Sequence, residues 1–107
     1  MNLIFKKKTI KRSGDEIDNH QFKSVEDIIL TLTTLSGFKR YSDAIRLFER
    51  FENEIKGSEY EIDSLIAILK ICQKKFDTPR MIRFAKRLKV LDPNHPWVVE
   101  LIKYYPI

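Results

Sequence analysis

The chain has 107 residues, 43% hydrophobic and 33% charged, which is the balance of one small folded domain. Its longest unbroken apolar run covers residues 65–69, whereas a membrane span needs ~20 apolar residues, so we expect no transmembrane segment. The single cysteine, Cys72, excludes an internal disulfide, and its position in an apolar helical stripe predicts a buried thiol.

The net charge of +5 is located near the N-terminus. The residues 1–12 hold no acidic side chain and five basic ones, which are Lys6, Lys7, Lys8, Lys11 and Arg12. We therefore expect a basic flexible arm over residues 1–14 and a folded domain over residues 15–107. An apolar patch at residues 3–5 leaves three uses of the arm open: an uncleaved import signal, a docking arm or a plain flexible tail.

The remaining charges are separated along the chain. Residues 13–63 hold 12 acidic and 6 basic side chains, whereas residues 64–107 hold 3 acidic and 9 basic ones. This separation predicts an electrostatic dipole, which would orient the domain on a charged partner.

Two helices are predicted in the first half of the domain. Ser24, followed three residues later by Asp27, approximates a capping box, and the apolar spacing after it predicts a helix that ends at Gly37. A second helix is predicted over residues 42–57, where serine and aspartate open it and a glycine closes it.

A third helix is predicted over residues 59–75, with acidic residues at its start and lysines at its end, as the helix dipole favours. Its predicted buried stripe consists of Ile62, Leu65, Leu69, Cys72 and Phe76. A fourth helix follows, capped at residue 77 or 78, with Pro79 in its first turn, where a missing N–H costs nothing.

The fifth predicted helix runs from Pro96 to about Tyr105 and is apolar on nearly all sides, so two of its faces need cover. We predict a partner-binding surface on it, formed by Trp97, Leu101, Tyr104 and Tyr105. Two alternatives stay open: the segment around residues 3–5 folds over this helix, or the helix closes the end of the stack.

The two predicted hairpins repeat with an offset of 37 residues. The matched pairs are Ile29 and Ile66, Leu32 and Leu69, Leu35 and Cys72, Ile45 and Ile82, Arg46 and Arg83, Leu47 and Phe84, and Phe51 and Leu88. A helical hairpin repeated at this period is typical of a solenoid, in which neighbours bury one another's apolar faces. We predict an all-α fold, a right-handed superhelix of about five helices, with two hairpins and a C-terminal helix.

The sequence contains few residues that could support catalysis. The two histidines, His20 and His95, lie far apart in the sequence, and the three glycines are isolated at helix ends, so no phosphate-binding loop is formed. We expect a protein that is not an enzyme and has no catalytic residue, metal or cofactor. Basic residues of the third and fourth helices, among them Arg80, Arg83 and Arg87, form either a solvated face or a surface for an acidic or phosphate-bearing partner.

Several stretches resemble known families. Residues 43–49, Asp-Ala-Ile-Arg-Leu-Phe-Glu, resemble the second helix of tetratricopeptide and pentatricopeptide repeats, and residues 91–96 resemble the tetratricopeptide inter-repeat turn. The pentatricopeptide resemblance would place Glu26 and Asp63 at positions that read RNA bases.

A closer resemblance is to subunit 5A of mitochondrial cytochrome c oxidase. That family has the form Leu-Arg-x-Cys-Arg-Arg-x-Asn-Asp, then Ile-Arg five residues on; here residues 69–77 read Leu-Lys-Ile-Cys-Gln-Lys-Lys-Phe-Asp, followed by Ile82 and Arg83. The resemblance implies a nuclear-encoded, non-catalytic subunit on the matrix face of the oxidase, without haem or metal of its own.

We therefore expect a structural subunit of a larger mitochondrial assembly, in first place cytochrome c oxidase, respiratory complex IV. Its partners would be other protein subunits, with no small-molecule substrate and no nucleic acid, and any contact with the inner membrane would be peripheral and made through the host complex. The alternative is a pentatricopeptide-like RNA-binding adaptor or one associated with the mitochondrial ribosome.

Overall fold

The computed structural model describes residues 22–107, which form six helices and no strand. The predicted all-α class is confirmed for this part of the chain. The predicted arm over residues 1–14, the domain start at residue 15 and His20 lie outside the described residues. Among the helices of residues 22–107, none combines the length and the apolar character needed to cross a membrane.

Helix α1 covers Val25–Gly37 and begins as predicted. The Ser24 hydroxyl accepts the N–H of Asp27 at 3.2 Å, and the Asp27 carboxylate accepts the N–H of Lys23 at 3.2 Å. The first bond satisfies an N–H group that the first turn of the helix leaves free, and the second ties the residue before the cap to the same turn. The helix ends at the predicted glycine, but the residue with left-handed geometry is Lys39, with a φ of 59°.

The single helix predicted over residues 42–57 is wrong, because two helices occupy this stretch. Helix α2 covers Tyr41–Arg50 and α3 covers Glu52–Ile55. Phe51 separates them with a φ of −110°, well away from helical geometry. Its ring lies edge-on to that of Phe22, with centroids 5.2 Å apart, so tertiary packing accompanies the interruption.

Gly57 turns the chain after α3 with a φ of 84°, a conformation that glycine adopts without steric cost. Helix α4 then covers Glu61–Lys75, beginning two residues after the predicted start. It has acidic residues in its first turn and lysines in its last, as predicted, which complements the helix dipole.

Helix α5 covers Thr78–Leu91 and is capped by Asp77, whose carboxylate accepts the N–H of Arg80 at 3.3 Å. Helix α6 covers only Pro96–Leu101, so the prediction of a helix to Tyr105 is wrong. Tyr105 precedes a proline, and the residue before proline is disfavoured in helical geometry. The chain therefore leaves the helix in turns after residue 101.

Two hairpins, α1 with α2 and α4 with α5, make up most of the fold. Helix α4 also packs on α1 and α2, and α6 packs on α5. The rings of Phe48 and Phe84 meet edge-on at 4.9 Å between centroids, an arrangement that aromatic pairs favour. This contact joins the second helices of the two hairpins through the centre of the core.

Three of the seven pairs matched by the 37-residue offset are buried in both hairpins. They are Leu32 with Leu69, Leu35 with Cys72, and Leu47 with Phe84. The predicted stripe on α4 is only partly correct: its middle residues are buried, but Ile62 is 37% exposed and Phe76 is 90% exposed. Both lie at ends of the helix, where no neighbouring element covers them.

The burial of Cys72 is confirmed, and desolvation, helped by the negative charge of Asp77, raises the pKa of its thiol to about 12. Because the thiolate is the reactive form, native protein at pH 8 should react slowly with a thiol reagent, and denatured protein rapidly. A chromogenic thiol reagent with and without urea measures both rates. Rapid stoichiometric labelling of the native protein would contradict this.

Candidate protein-interaction surface

Within residues 22–107, no group of three or more histidine, cysteine or acidic side chains is arranged to hold a metal ion. His95 is used structurally, because its Nδ1 accepts the N–H of Trp97 at 3.1 Å and caps α6. The candidate sites within residues 22–107 lie on the surface.

The four predicted partner-binding residues at the C-terminus fall into two groups. Trp97, Leu101 and Tyr105 are partly buried and pack against the core. Tyr104 is 72% exposed. The first three therefore stabilise the domain's own packing, and the fourth presents its ring to solvent.

A cleft of about 360 Å³ lies between the α4–α5 junction and the end of α6. Its apolar lining is formed by Phe76, Met81, Leu101, Tyr104 and Tyr105, and we call these residues the aromatic cleft. Met81 is buried at its floor, whereas Phe76 and Tyr104 are the exposed rings at its edges. Aromatic side chains held at the edge of an apolar recess are typical anchors of protein interfaces.

Phe76 is the residue of this surface that the sequence interpretation missed. It has left-handed backbone geometry, with φ 59° and ψ 34°, which is uncommon and costly for a bulky residue. The left-handed turn carries the ring out of the predicted stripe.

The three predicted partner-binding arginines form ion pairs within the domain. Arg80 contacts Glu49 at 2.9 Å and Asp77 at 3.0 Å. Arg83 contacts Glu49 at 2.7 Å and Glu52 at 3.0 Å. The hydrogen bonds that Arg80 donates to Glu49, followed by the one that it donates to the Asp77 carboxylate, raise the pKa of Arg80 above its usual range. We call these pairs, with that of Arg87, the arginine network.

Arg87 makes the shortest of these contacts, with its Nε 2.6 Å from a carboxylate oxygen of Glu61. Glu61 is only 5% exposed, and it also accepts the N–H of Gly57 at 2.8 Å. The bond from Arg87 is the main cause that lowers the pKa of this carboxyl, with the bond from Gly57 adding to it against the opposing effect of burial.

The arginine network changes the meaning of the charge separation along the chain. Acidic residues of the first half, on α2, α3 and α4, lie directly against basic residues of α5. The predicted dipole is therefore partly neutralised inside the domain. Whether Arg80, Arg83 and Arg87 also contact a partner stays a prediction.

Replacing Arg87 with methionine should destabilise the domain at pH 7, because it leaves the Glu61 carboxylate buried without its cation. The folded-state pKa of Glu61 lies below its usual 4.5, so the stabilisation is present above pH 4.5 and is lost as the pH falls through the folded value. The deficit of Arg87→Met in urea midpoint should therefore shrink as the pH is lowered from 7 through the folded-state pKa of Glu61.

The matched control is Lys86→Met, which removes an exposed cation from the same helix. It should shift the midpoint little at any pH of the series. An Arg87→Met deficit that does not shrink as the pH is lowered would show that the lost packing of the arginine stem, not its charge, is responsible.

The two C-terminal tyrosines should differ in their effect on stability. Tyr104→Ser removes an exposed ring and should change the free energy of unfolding by no more than about 0.5 kcal/mol. Tyr105→Ser removes a ring packed on the core and should cost about 1 kcal/mol or more. Urea denaturation followed by circular dichroism measures both values. Equal losses would mean that the two rings are buried alike.

No protein-family model, curated protein or solved structure matches the chain. The resemblances to helical-repeat proteins and to oxidase subunit 5A therefore stay predictions, and the surface itself is the basis for a functional proposal.

Proposed function

We propose that this chain is a non-catalytic structural subunit that docks on a larger protein assembly through the aromatic cleft. The observation that carries the proposal is the pair of exposed rings, Phe76 and Tyr104, at the edges of an apolar recess. Large apolar side chains scattered singly need no explanation, whereas a group around a recess is typical of an interaction site.

The backbone strain at Phe76 supports this proposal. A left-handed conformation costs about 1–2 kcal/mol for a residue with a Cβ, and here it places an apolar ring in water. Neither effect stabilises the isolated domain. A partner that covers the ring would recover the apolar surface that the domain leaves exposed.

The repeat architecture forms the finer part of the proposal. The matched buried positions in the two hairpins fit a right-handed tetratricopeptide-like or pentatricopeptide-like superhelix, in which α6 would be the first helix of a third unit without its mate. The open side of α6, next to the aromatic cleft, is where that mate would lie. A helix supplied by another subunit would complete the stack.

For the host we propose a mitochondrial complex, cytochrome c oxidase in first place, with the subunit on the matrix face of the inner membrane. The support is the sequence resemblance over residues 69–77 with Ile82 and Arg83. This stretch forms the end of α4 and the start of α5, and Phe76 and Met81 of the aromatic cleft lie in or beside it.

The test compares three tagged full-length chains expressed in cells of the source organism: wild type, Phe76→Ser with Tyr104→Ser, and Val90→Ser. Val90 is 71% exposed on α5 and is not among the residues lining the cleft, so it controls for the loss of surface apolarity. After affinity purification, mass spectrometry identifies the proteins recovered. The wild type and Val90→Ser should recover the same subunits in similar amounts. The double variant should recover them in amounts at least about tenfold lower.

Equal recovery by all three chains would show that the aromatic cleft is not the docking site. Recovery of a complex other than the oxidase would overturn the host and leave the docking role intact. Recovery of ribosomal proteins or RNA, lost steeply as salt rises, would favour the RNA-binding alternative.

A further inference from the structure

A second recess runs between α1 and α4, on residues that the aromatic cleft does not use. It encloses about 300 Å³. On α4 its lining follows one helical stripe, which consists of Asp63, Ile66, Ala67, Lys70, Ile71 and Lys74. On α1 the lining is Leu32, Thr33 and Ser36. We call this recess the lysine groove.

The floor of the lysine groove is apolar and shallow. Leu32 and Ile71 are buried, whereas Ile66 and Ala67 are partly exposed in it. The small side chain of Ala67 leaves space between two larger neighbours. The floor can therefore accept aliphatic side chains of a ligand. The volume of the groove lies near the lower end of the ~300–1,000 Å³ range of ligand pockets, so it suits a few side chains at a time.

The cations at one end of the groove are available for a ligand. Lys70 and Lys74 are exposed, one helical turn apart, and within residues 22–107 neither ammonium group pairs with a carboxylate. The arginine network on α5 differs, because each of its guanidinium groups already contacts an acidic side chain. The groove thus carries two positive charges, on Lys70 and Lys74, with which a ligand can pair.

The opposite wall can contribute hydrogen bonds. Thr33 donates its hydroxyl proton to the carbonyl of Ile29 at 3.1 Å, which leaves the hydroxyl oxygen free to accept from a ligand N–H. Asp63 lies at the other end of α4 from the lysines, about 10 Å from Lys70 along the helix at 1.5 Å per residue. The groove is therefore negative at one end and positive at the other.

We propose that the lysine groove binds an acidic peptide segment of a partner protein. Aliphatic side chains of the peptide occupy the floor at Ile66 and Ala67, and its carboxylates lie against Lys70 and Lys74. The carboxylate of Asp63 repels acidic residues at the far end, so the peptide binds in one direction, with its acidic part toward the end of α4.

The same features disfavour single-stranded nucleic acid in this groove. Proteins that bind single strands without sequence preference stack bases on aromatic rings, and none of the residues lining the groove is aromatic. Asp63 would also repel a phosphate backbone that followed the groove. This proposal is independent of the aromatic cleft, because the two surfaces share no residue.

The test measures fluorescence anisotropy of a labelled peptide of about twelve residues, built from leucine and glutamate, with the full-length chain. A peptide with lysine at every glutamate position and a single-stranded oligouridine of similar length are the comparison ligands. Lys70→Glu with Lys74→Glu should weaken binding of the glutamate peptide at least about tenfold, since it turns attraction into repulsion. Ala67→Met, which fills the floor without changing charge, should weaken it by a similar factor.

Lys86→Glu is the matched control for charge, because it reverses an exposed lysine on α5 that does not line the groove. It should leave the affinity within about twofold of the wild type. Circular dichroism verifies the fold of each variant. The double variant at Phe76 and Tyr104 should retain peptide binding, so failure of the docking proposal does not affect this result.

The proposal is overturned if the glutamate peptide does not bind at millimolar concentration, or if the lysine peptide binds equally well. It is also overturned if Lys86→Glu weakens binding as much as the groove variant, which would show general attraction to a basic protein. Tighter binding of oligouridine, sensitive to Lys70→Glu with Lys74→Glu, would assign the groove to nucleic acid instead.

Discussion

The fold depends on helix α4, which has to bury apolar side chains toward several neighbours at once. Leu65, Ile68, Leu69, Ile71 and Cys72 are all nearly inaccessible to solvent, and they belong to more than one face of the helix. Helix α4 packs on α1 and α2 on one side and on α5 on the other. Neither hairpin can bury its own apolar surface alone, so α4 joins them into one core.

The arginine network restricts how α5 is oriented against the elements that precede it. Arg80, Arg83 and Arg87 lie along one side of α5, three or four residues apart, where successive turns of a helix align. Each contacts a carboxylate on an earlier element. Exposed ion pairs contribute little to stability, but the pair of Arg87 with the buried Glu61 restricts how α5 can rest on the preceding hairpin.

The two candidate surfaces consist of side chains that the packing of the helices does not cover. The aromatic cleft forms where α6 is too short to cover the α4–α5 junction, so that Phe76 and Tyr104 face solvent. The lysine groove lies between α1 and α4, where Lys70 and Lys74 border an apolar floor. One surface is aromatic and the other is charged, which suits two different partners on one small domain.

Much of the fold was predictable from the sequence because it depends on local rules. The cap at Ser24 and the acidic cap before Pro79 are set by hydrogen bonds within four residues, and both are confirmed. The burial of Cys72 followed from helical periodicity. The turn at Gly57, after the end of α3, followed from the ease with which glycine adopts a positive φ.

Two of the errors arose where distant parts of the chain meet or fail to meet. Phe51 interrupts the second predicted helix, where its ring packs against Phe22, a residue far away in the sequence. Phe76 fits the apolar period of α4, yet no element reaches that end of the helix to cover it.

The sequence by itself determined the number of hairpins, the caps of α1 and α5 and most of the apolar faces that the hairpins bury. Only the tertiary structure decided which charges neutralise one another and which apolar rings stay in water. The reason is that helix periodicity gives the face of a side chain within its own helix, whereas exposure and charge pairing depend on which other helix lies opposite that face.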